Sequence, residues 1–133
     1  MKNNQLKNLV LFSLIFTLLF SVTVTAFAEN IISPRYSYTA NITAGLSFSG
    51  GTANCSGSVL PSGAYYTTIT VTLYRQNGSS WDYVTSWYGS SNNGNSASAG
   101  GSVYVGSGTF KVVAKGNIGN GMERPTNTVI RSN

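Results

Sequence analysis

The residues in this sequence most able to do chemistry at a surface are its aromatics. Eight tyrosines and two tryptophans stand in a chain with three carboxylates and no histidine. Tyrosine and tryptophan combine rigid contact area with a hydrogen-bonding tip, which suits glycans, peptides and membrane interfaces. Tyr74 alternates away from the apolar row Ile69, Val71 and Leu73, so the core does not need it. Tyr65 and Tyr66 precede that row, and Trp81 follows the next turn. Tyr65, Tyr66, Tyr74 and Trp81 are therefore the candidate binding residues. For Trp81, as for Trp87, the competing reading is a ring packed in the core or sealing its edge.

Catalytic chemistry finds little to work with. Without histidine the commonest general base and the commonest metal ligand are both missing, which excludes serine–histidine triads, cysteine–histidine pairs and nearly all zinc sites. A glycosidase needs two cooperating carboxyl groups, yet Glu29, Asp82 and Glu123 fall at a terminus, beside a turn and in a late loop. Three dispersed acids do not make a calcium site either. The Gly-rich stretches 94–101 and 106–108 lack the Lys and Ser/Thr of a phosphate loop and open no helix. The expectation is a protein that is not an enzyme and takes no cofactor or metal.

Cys55 is the single cysteine, so no intramolecular disulfide is available. Ala53, Gly57 and Val59 alternate with polar Asn54, Ser56 and Ser58, which puts its sulfur on the apolar side of a strand. No basic neighbour in sequence would activate it. A buried, inert thiol is expected rather than a reactive one.

The amino end has the layout of an export signal. Lys2 and Lys7 open a polar segment, an uncharged apolar run covers residues 9–20, and small residues close on Ala26-Phe27-Ala28. Cleavage before Glu29 is expected, making residues 1–28 a signal peptide and 29–133 one domain. The run from 9 to 28 approaches the roughly 20 residues of a spanning helix. Its polar second half (Ser21, Thr23, Thr25) and the lack of a basic flank set it apart from an anchor, so no stable membrane insertion is expected after cleavage. The mature segment keeps Arg35, Arg75, Lys111, Lys115, Arg124 and Arg131 against the three acids, a balance of +3. These cations are scattered, whereas nucleic-acid binders cluster them, so no nucleic-acid partner is expected. Contact with anionic envelope polymers remains open.

The elements that must position these residues are strands. After residue 28 no helical spacing of apolar residues occurs, while period-two alternation recurs. Strand material is expected over 36–49, 52–60, 67–76, 81–88, 102–105, 109–115 and 126–131. Asn77-Gly78 reads as a type I′ hairpin turn between the third and fourth. Residues 89–101, almost wholly Gly, Ser, Asn and Ala, read as a flexible connection holding at most one weak strand. About seven short strands in one small domain is the pattern of an all-β immunoglobulin-like sandwich; a small barrel gives a similar pattern.

The order Arg35-Tyr36, Ile-x-Ala-x-Leu-x-Phe (Ile42 to Phe48), Gly-x-Ala-x-Cys-x-Gly (Gly51 to Gly57) and two tryptophans six apart (Trp81, Trp87) resembles a family of small secreted proteins of Gram-positive bacteria. That family has no assigned function. The resemblance implies export and an immunoglobulin-like sandwich, and it carries no catalytic or binding residues. Together these readings point to a secreted, extracellular, non-catalytic module that binds a glycan, protein or envelope polymer. Two alternatives stand beside it: a bacteriocin-like antagonist of competing bacteria, and a matrix or coat component that self-assembles through strand edges. No Leu-Pro-x-Thr-Gly sorting signal and no cysteine after the cleavage site are present, so any envelope attachment is expected to be non-covalent. The oligomeric state is not legible.

Overall fold

The computed structural model describes residues 36–133; the expected signal peptide and its cleavage site lie outside the described residues. Seven antiparallel strands form two sheets and are the regular elements of the described residues. They are β1 (Thr39–Ser49), β2 (Thr52–Pro61), β3 (Thr67–Asn77), β4 (Ser80–Ser91), β5 (Ala97–Tyr104), β6 (Thr109–Ile118) and β7 (Thr126–Ser132). One sheet has the order β1-β2-β5, the other β4-β3-β6-β7. This is an immunoglobulin-like β-sandwich in which the fourth strand pairs with β3 rather than with β5, where the constant-type arrangement places it.

Alternation in sequence becomes the core directly. Ile69, Val71 and Leu73 of β3 and Phe110, Val112, Ala114 and Ile118 of β6 are fully buried, facing Ala53, Cys55 and Val59 of β2. These central strands supply the core because both neighbours in their sheet and the opposing sheet cover them. β1 is an edge strand, so of its apolar row only Leu46 is buried, while Ile42, Ala44 and Phe48 pack from the rim. Phe48 meets Phe110 with ring centres 5.5 Å apart, joining the two sheets near one end. At the other end Glu123 ties the segment before β1 to the β6–β7 loop. Its carboxylate accepts from the Ser37 N–H (2.7 Å), the Tyr38 N–H (3.0 Å) and the Thr39 hydroxyl.

Two local expectations are corrected. The β3–β4 turn is centred on Gly78-Ser79, not Asn77-Gly78, since Asn77 pairs with Ser80 as the last ladder position. Gly78 has φ +59° and Ser79, the second turn residue, is not in the left-handed region, which by the sign of φ is the pattern of a type II′ turn. Asn77 is held in the strand by its own contacts: its side-chain amide donates to Asp82 (2.8 Å), and its carbonyl accepts from the Ser80 hydroxyl (2.8 Å).

The second correction concerns residues 89–101. β4 runs on to Ser91 and β5 begins at Ala97, leaving only 92–96 as a connection. The small residues of β5 serve close packing rather than flexibility. A side chain at Gly101 would overlap the indole of Trp87, and one at Gly100 would run into the backbone at Cys55 and Ser56. A strand of small residues lets the Trp87 ring from the opposite sheet lie against it.

Candidate binding surface on the four-stranded sheet

The β3–β4 hairpin sets which aromatic rings face outward. On β3, Thr67, Ile69, Val71 and Leu73 point to the core, so Thr68, Thr70, Thr72, Tyr74 and Gln76 point away. Their ladder partners on β4 share their side. Tyr88 is opposite Thr70, Ser86 opposite Thr72, Tyr83 opposite Tyr74 and Trp81 opposite Gln76.

That register contains one irregularity on which the surface depends. Leu73 pairs with Thr85 and Tyr74 pairs with Tyr83, so Val84 has no partner of its own: a β-bulge. In a regular strand Trp81 and Trp87, six residues apart, would share a face. The bulge inverts the alternation between them. Trp87 falls opposite Val71 and packs against the core, whereas Trp81 and Tyr83 turn to the outer face.

β6 completes the site from the other side. Phe110, Val112 and Ala114 take the inward positions, which leaves Lys111, Val113 and Lys115 outward. Lys111 is opposite Tyr74 in the ladder. Its ammonium lies 4.4 Å from the centre of the Trp81 ring and 5.1 Å from that of Tyr74, two cation–π contacts that fix a charge on the surface. Tyr83 stands edge-on to Tyr74 at 6.4 Å, and its hydroxyl is 3.2 Å from that of Ser86. Trp81, Tyr74, Tyr83 and Lys111 form one cluster, of which Tyr83 is the most exposed at 64 %.

A second aromatic pair lies at the far end of the same face. Tyr88 is 65 % exposed and Tyr66 43 %. Hydrogen bonding to Tyr66 is the chief reason that the Tyr88 phenol is raised above its ordinary range. Tyr66 is anchored where β3 begins, its carbonyl accepting from the Gly119 N–H at 3.0 Å.

Of the four residues singled out from the sequence, Tyr66, Tyr74 and Trp81 reach this face and Tyr65 does not. Tyr65 turns inward, packs against the core and meets Tyr38 edge-on at 5.5 Å, so its expected exposure is corrected. Neighbours in an extended segment point to opposite sides, so Tyr65 and Tyr66 cannot both share a surface. Sequence reasoning missed Tyr83, Tyr88 and Lys111 as parts of the surface. Simple alternation back from Trp87 would have assigned Tyr83 to the core side, and only the bulge reverses that.

The remaining polar groups of interest are committed elsewhere. Asp82 and Glu123 lie at opposite ends of the sheet, bonded to Asn77 and to the segment before β1 respectively. Cys55 is 5 % exposed, and desolvation pushes its thiol up to about 11. A shallow groove of about 690 Å³ runs between the edge strands β1 and β7, lined by Leu46, Ser47, Phe48, Arg131, Ser132 and Asn133. Among the described residues no group of three or more Cys, Asp or Glu side chains is placed to hold a metal ion.

No family model matches the sequence, and no curated protein matches it. Among solved structures, two crystal forms of wild-type OgpA from Akkermansia muciniphila superpose with TM-scores of 0.48 and 0.47 at 14 % identity. The alignments cover 76 % of this chain and 30 % and 32 % of that one, so the chain spans about a third of that protein's length.

Proposed function

We propose that this protein is a non-catalytic binding module of the extracellular space, which holds its partner on the outer face of the β4-β3-β6-β7 sheet. The observation that carries the reading is the gathering of Trp81, Tyr74, Tyr83 and Lys111 from three strands onto one exposed surface. Core packing does not require these rings to be there. The inward positions are already filled by Ile69, Val71, Leu73, Phe110 and Val112, and the bulge at Val84 directs two further aromatics outward. Bulges recur where a strand re-aims a side chain for function. The signal-like amino end and the resemblance to secreted Gram-positive proteins support work outside the cell. The partner is a glycan, a protein or an envelope polymer.

Tryptophan fluorescence offers a direct test, because Trp81 sits in the surface and Trp87 does not. Titration of the protein with cell-wall fractions, glycans and glycoproteins is expected to perturb emission with at least one of them. Trp81→Ala and Tyr83→Ala are expected to weaken that binding about tenfold each, the scale of a lost aromatic contact. Tyr104→Ala removes a more exposed ring, 75 % accessible on the three-stranded sheet, and is expected to bind normally. Equal losses from all three variants would remove the basis for assigning the binding to this face.

A further inference from the structure

The outer face of the four-stranded sheet carries two lysines and no carboxylate. Beyond Lys111 and Lys115, the outward strand positions are occupied by Thr, Ser, Tyr, Trp, Gln, Asn, Val and Ile. Asp82 alternates to the other side of the hairpin, and Glu123 is engaged with the segment before β1. The positive charge of this face has no acidic neighbour on it.

The two charges mark two stations along the face, each with tyrosines in or beside its ladder rows. At one, Lys111 is held against Tyr74 and Trp81, with Tyr83 adjoining. At the other, four residues along β6, Lys115 shares its ladder row with Thr70 and Tyr88, and Tyr88 adjoins Tyr66. At about 3.3 Å per residue the stations are roughly 13 Å apart. The row between them, Ser86, Thr72, Val113 and Thr128, is mostly hydroxylic.

Resting on the binding reading above, we infer that the ligand of this face is an acidic polysaccharide lying along the strands, with a carboxylate-bearing sugar at each station. Sugar rings present flat C–H faces to aromatic rings, hydroxyls to Thr and Ser side chains, and carboxylates to ammonium groups. Two cations set apart along one strand suit a polymer with repeating charge better than a single small anion. A second copy of the same face is disfavoured, since lysine would meet lysine with no carboxylate to receive it. An anionic bilayer is disfavoured because the centre of the face offers Ser86, Thr72 and Thr128 where insertion needs apolar side chains.

The test is calorimetric titration of the purified protein with polygalacturonate and, in parallel, with the same polymer fully methyl-esterified, which keeps the backbone and loses the charge. Polygalacturonate is expected to bind with an affinity that falls as salt rises, and the ester at least tenfold more weakly. Lys111→Gln and Lys115→Gln are expected to weaken polygalacturonate binding about fivefold each, the upper range for a solvent-exposed ion pair. Arg131→Gln removes the same charge from the β1–β7 groove and is expected to change it less than twofold. Unchanged melting curves would establish that the variants are folded.

Equal affinity for the ester, with binding still lost in Trp81→Ala, would overturn the acidic ligand and leave the aromatic face as a binding surface. Equal effects of Arg131→Gln and Lys111→Gln would overturn it as non-specific charge attraction. Binding to phosphatidylglycerol vesicles without binding to polygalacturonate would overturn it in favour of a membrane. Failure of polygalacturonate to bind also overturns it, and the wider reading falls with it only if no other extracellular polymer responds to the face variants.

Discussion

Cys55 and Glu123 show how single residues acquire roles from their surroundings rather than from their type. The Cys55 thiol is pushed from 9.0 to about 11 by desolvation, so the folded protein holds this proton more tightly than the unfolded chain. The associated stability is complete below about pH 9 and is lost as pH rises toward 11. Chemical denaturation at pH 8 and pH 11 is therefore expected to show a drop in stability that is about 2 kcal/mol smaller in Cys55→Ala than in the parent. A drop of equal size in both proteins would contradict burial as the cause. In the native protein at pH 8, Cys55 is also expected to react with a thiol reagent only at the rate of unfolding. Glu123 makes a complementary case, since one carboxylate accepts two backbone N–H groups and a hydroxyl. Glu123→Ala is expected to cost about 2 kcal/mol in denaturant titration, with Glu123→Gln in between because its amide keeps one acceptor oxygen.

At the scale of elements, the β3–β4 hairpin and β5 carry the main lessons. The bulge at Val84 separates two tryptophans that simple alternation would put together. Deleting Val84 sets Thr85 next to Tyr83, so the pairs Leu73–Thr85 and Tyr74–Tyr83 follow without a break and Trp81, then five residues from Trp87, stays on the outer side. In a Trp87→Phe background, acrylamide quenching of the remaining Trp81 is therefore expected to be unchanged by the deletion, its ring keeping its place opposite Gln76. Quenching that fell by half or more would mean that the ladder with β3 does not set the ring's direction. β5 misleads in the opposite sense, because Gly, Ser and Ala give little strand propensity and resemble a linker. Here they form a strand by laddering with β2, and their small size leaves room for Trp87 at Gly101. Gly101→Ala is expected to cost 1–3 kcal/mol through overlap with that ring. Combining it with Trp87→Ala is expected to cost less than the sum of the single changes, and strict additivity would show that the two residues do not share the space.

For the whole molecule, the core is small and is concentrated between β2, β3 and β6. Phe110 is the largest of its fully buried side chains, packed against Phe48 on one side and with the Arg75 guanidinium 5.7 Å from its ring centre. Phe110→Ala is expected to remove about 3–5 kcal/mol, enough to unfold much of a domain whose total stability is of the order of 5–15 kcal/mol. The cooperative loss should appear in circular dichroism and in Trp87 emission at the same denaturant concentration. The sandwich supports the surface by dividing labour between its faces: the inner side of each sheet holds the aliphatic core, and the outer side of one sheet is free to present aromatic and basic groups.

Period-two alternation in β1, β2, β3 and β6 was sufficient by itself for the all-β class, the inward rows, the burial of Cys55 and the outward placement of Tyr74. Such information is local, since a strand's side chains alternate whatever it pairs with. That Tyr65 turns inward to Tyr38, that residues 97–101 are a strand, and that Trp81 parts from Trp87 were decided only in the tertiary structure. Each depends on residues outside the segment itself: the ring of Tyr38, the ladder with β2, and the register slip against β3 at Val84. The aromatic surface therefore had its components in plain view in the sequence, while the pairing of strands determined which of them came together.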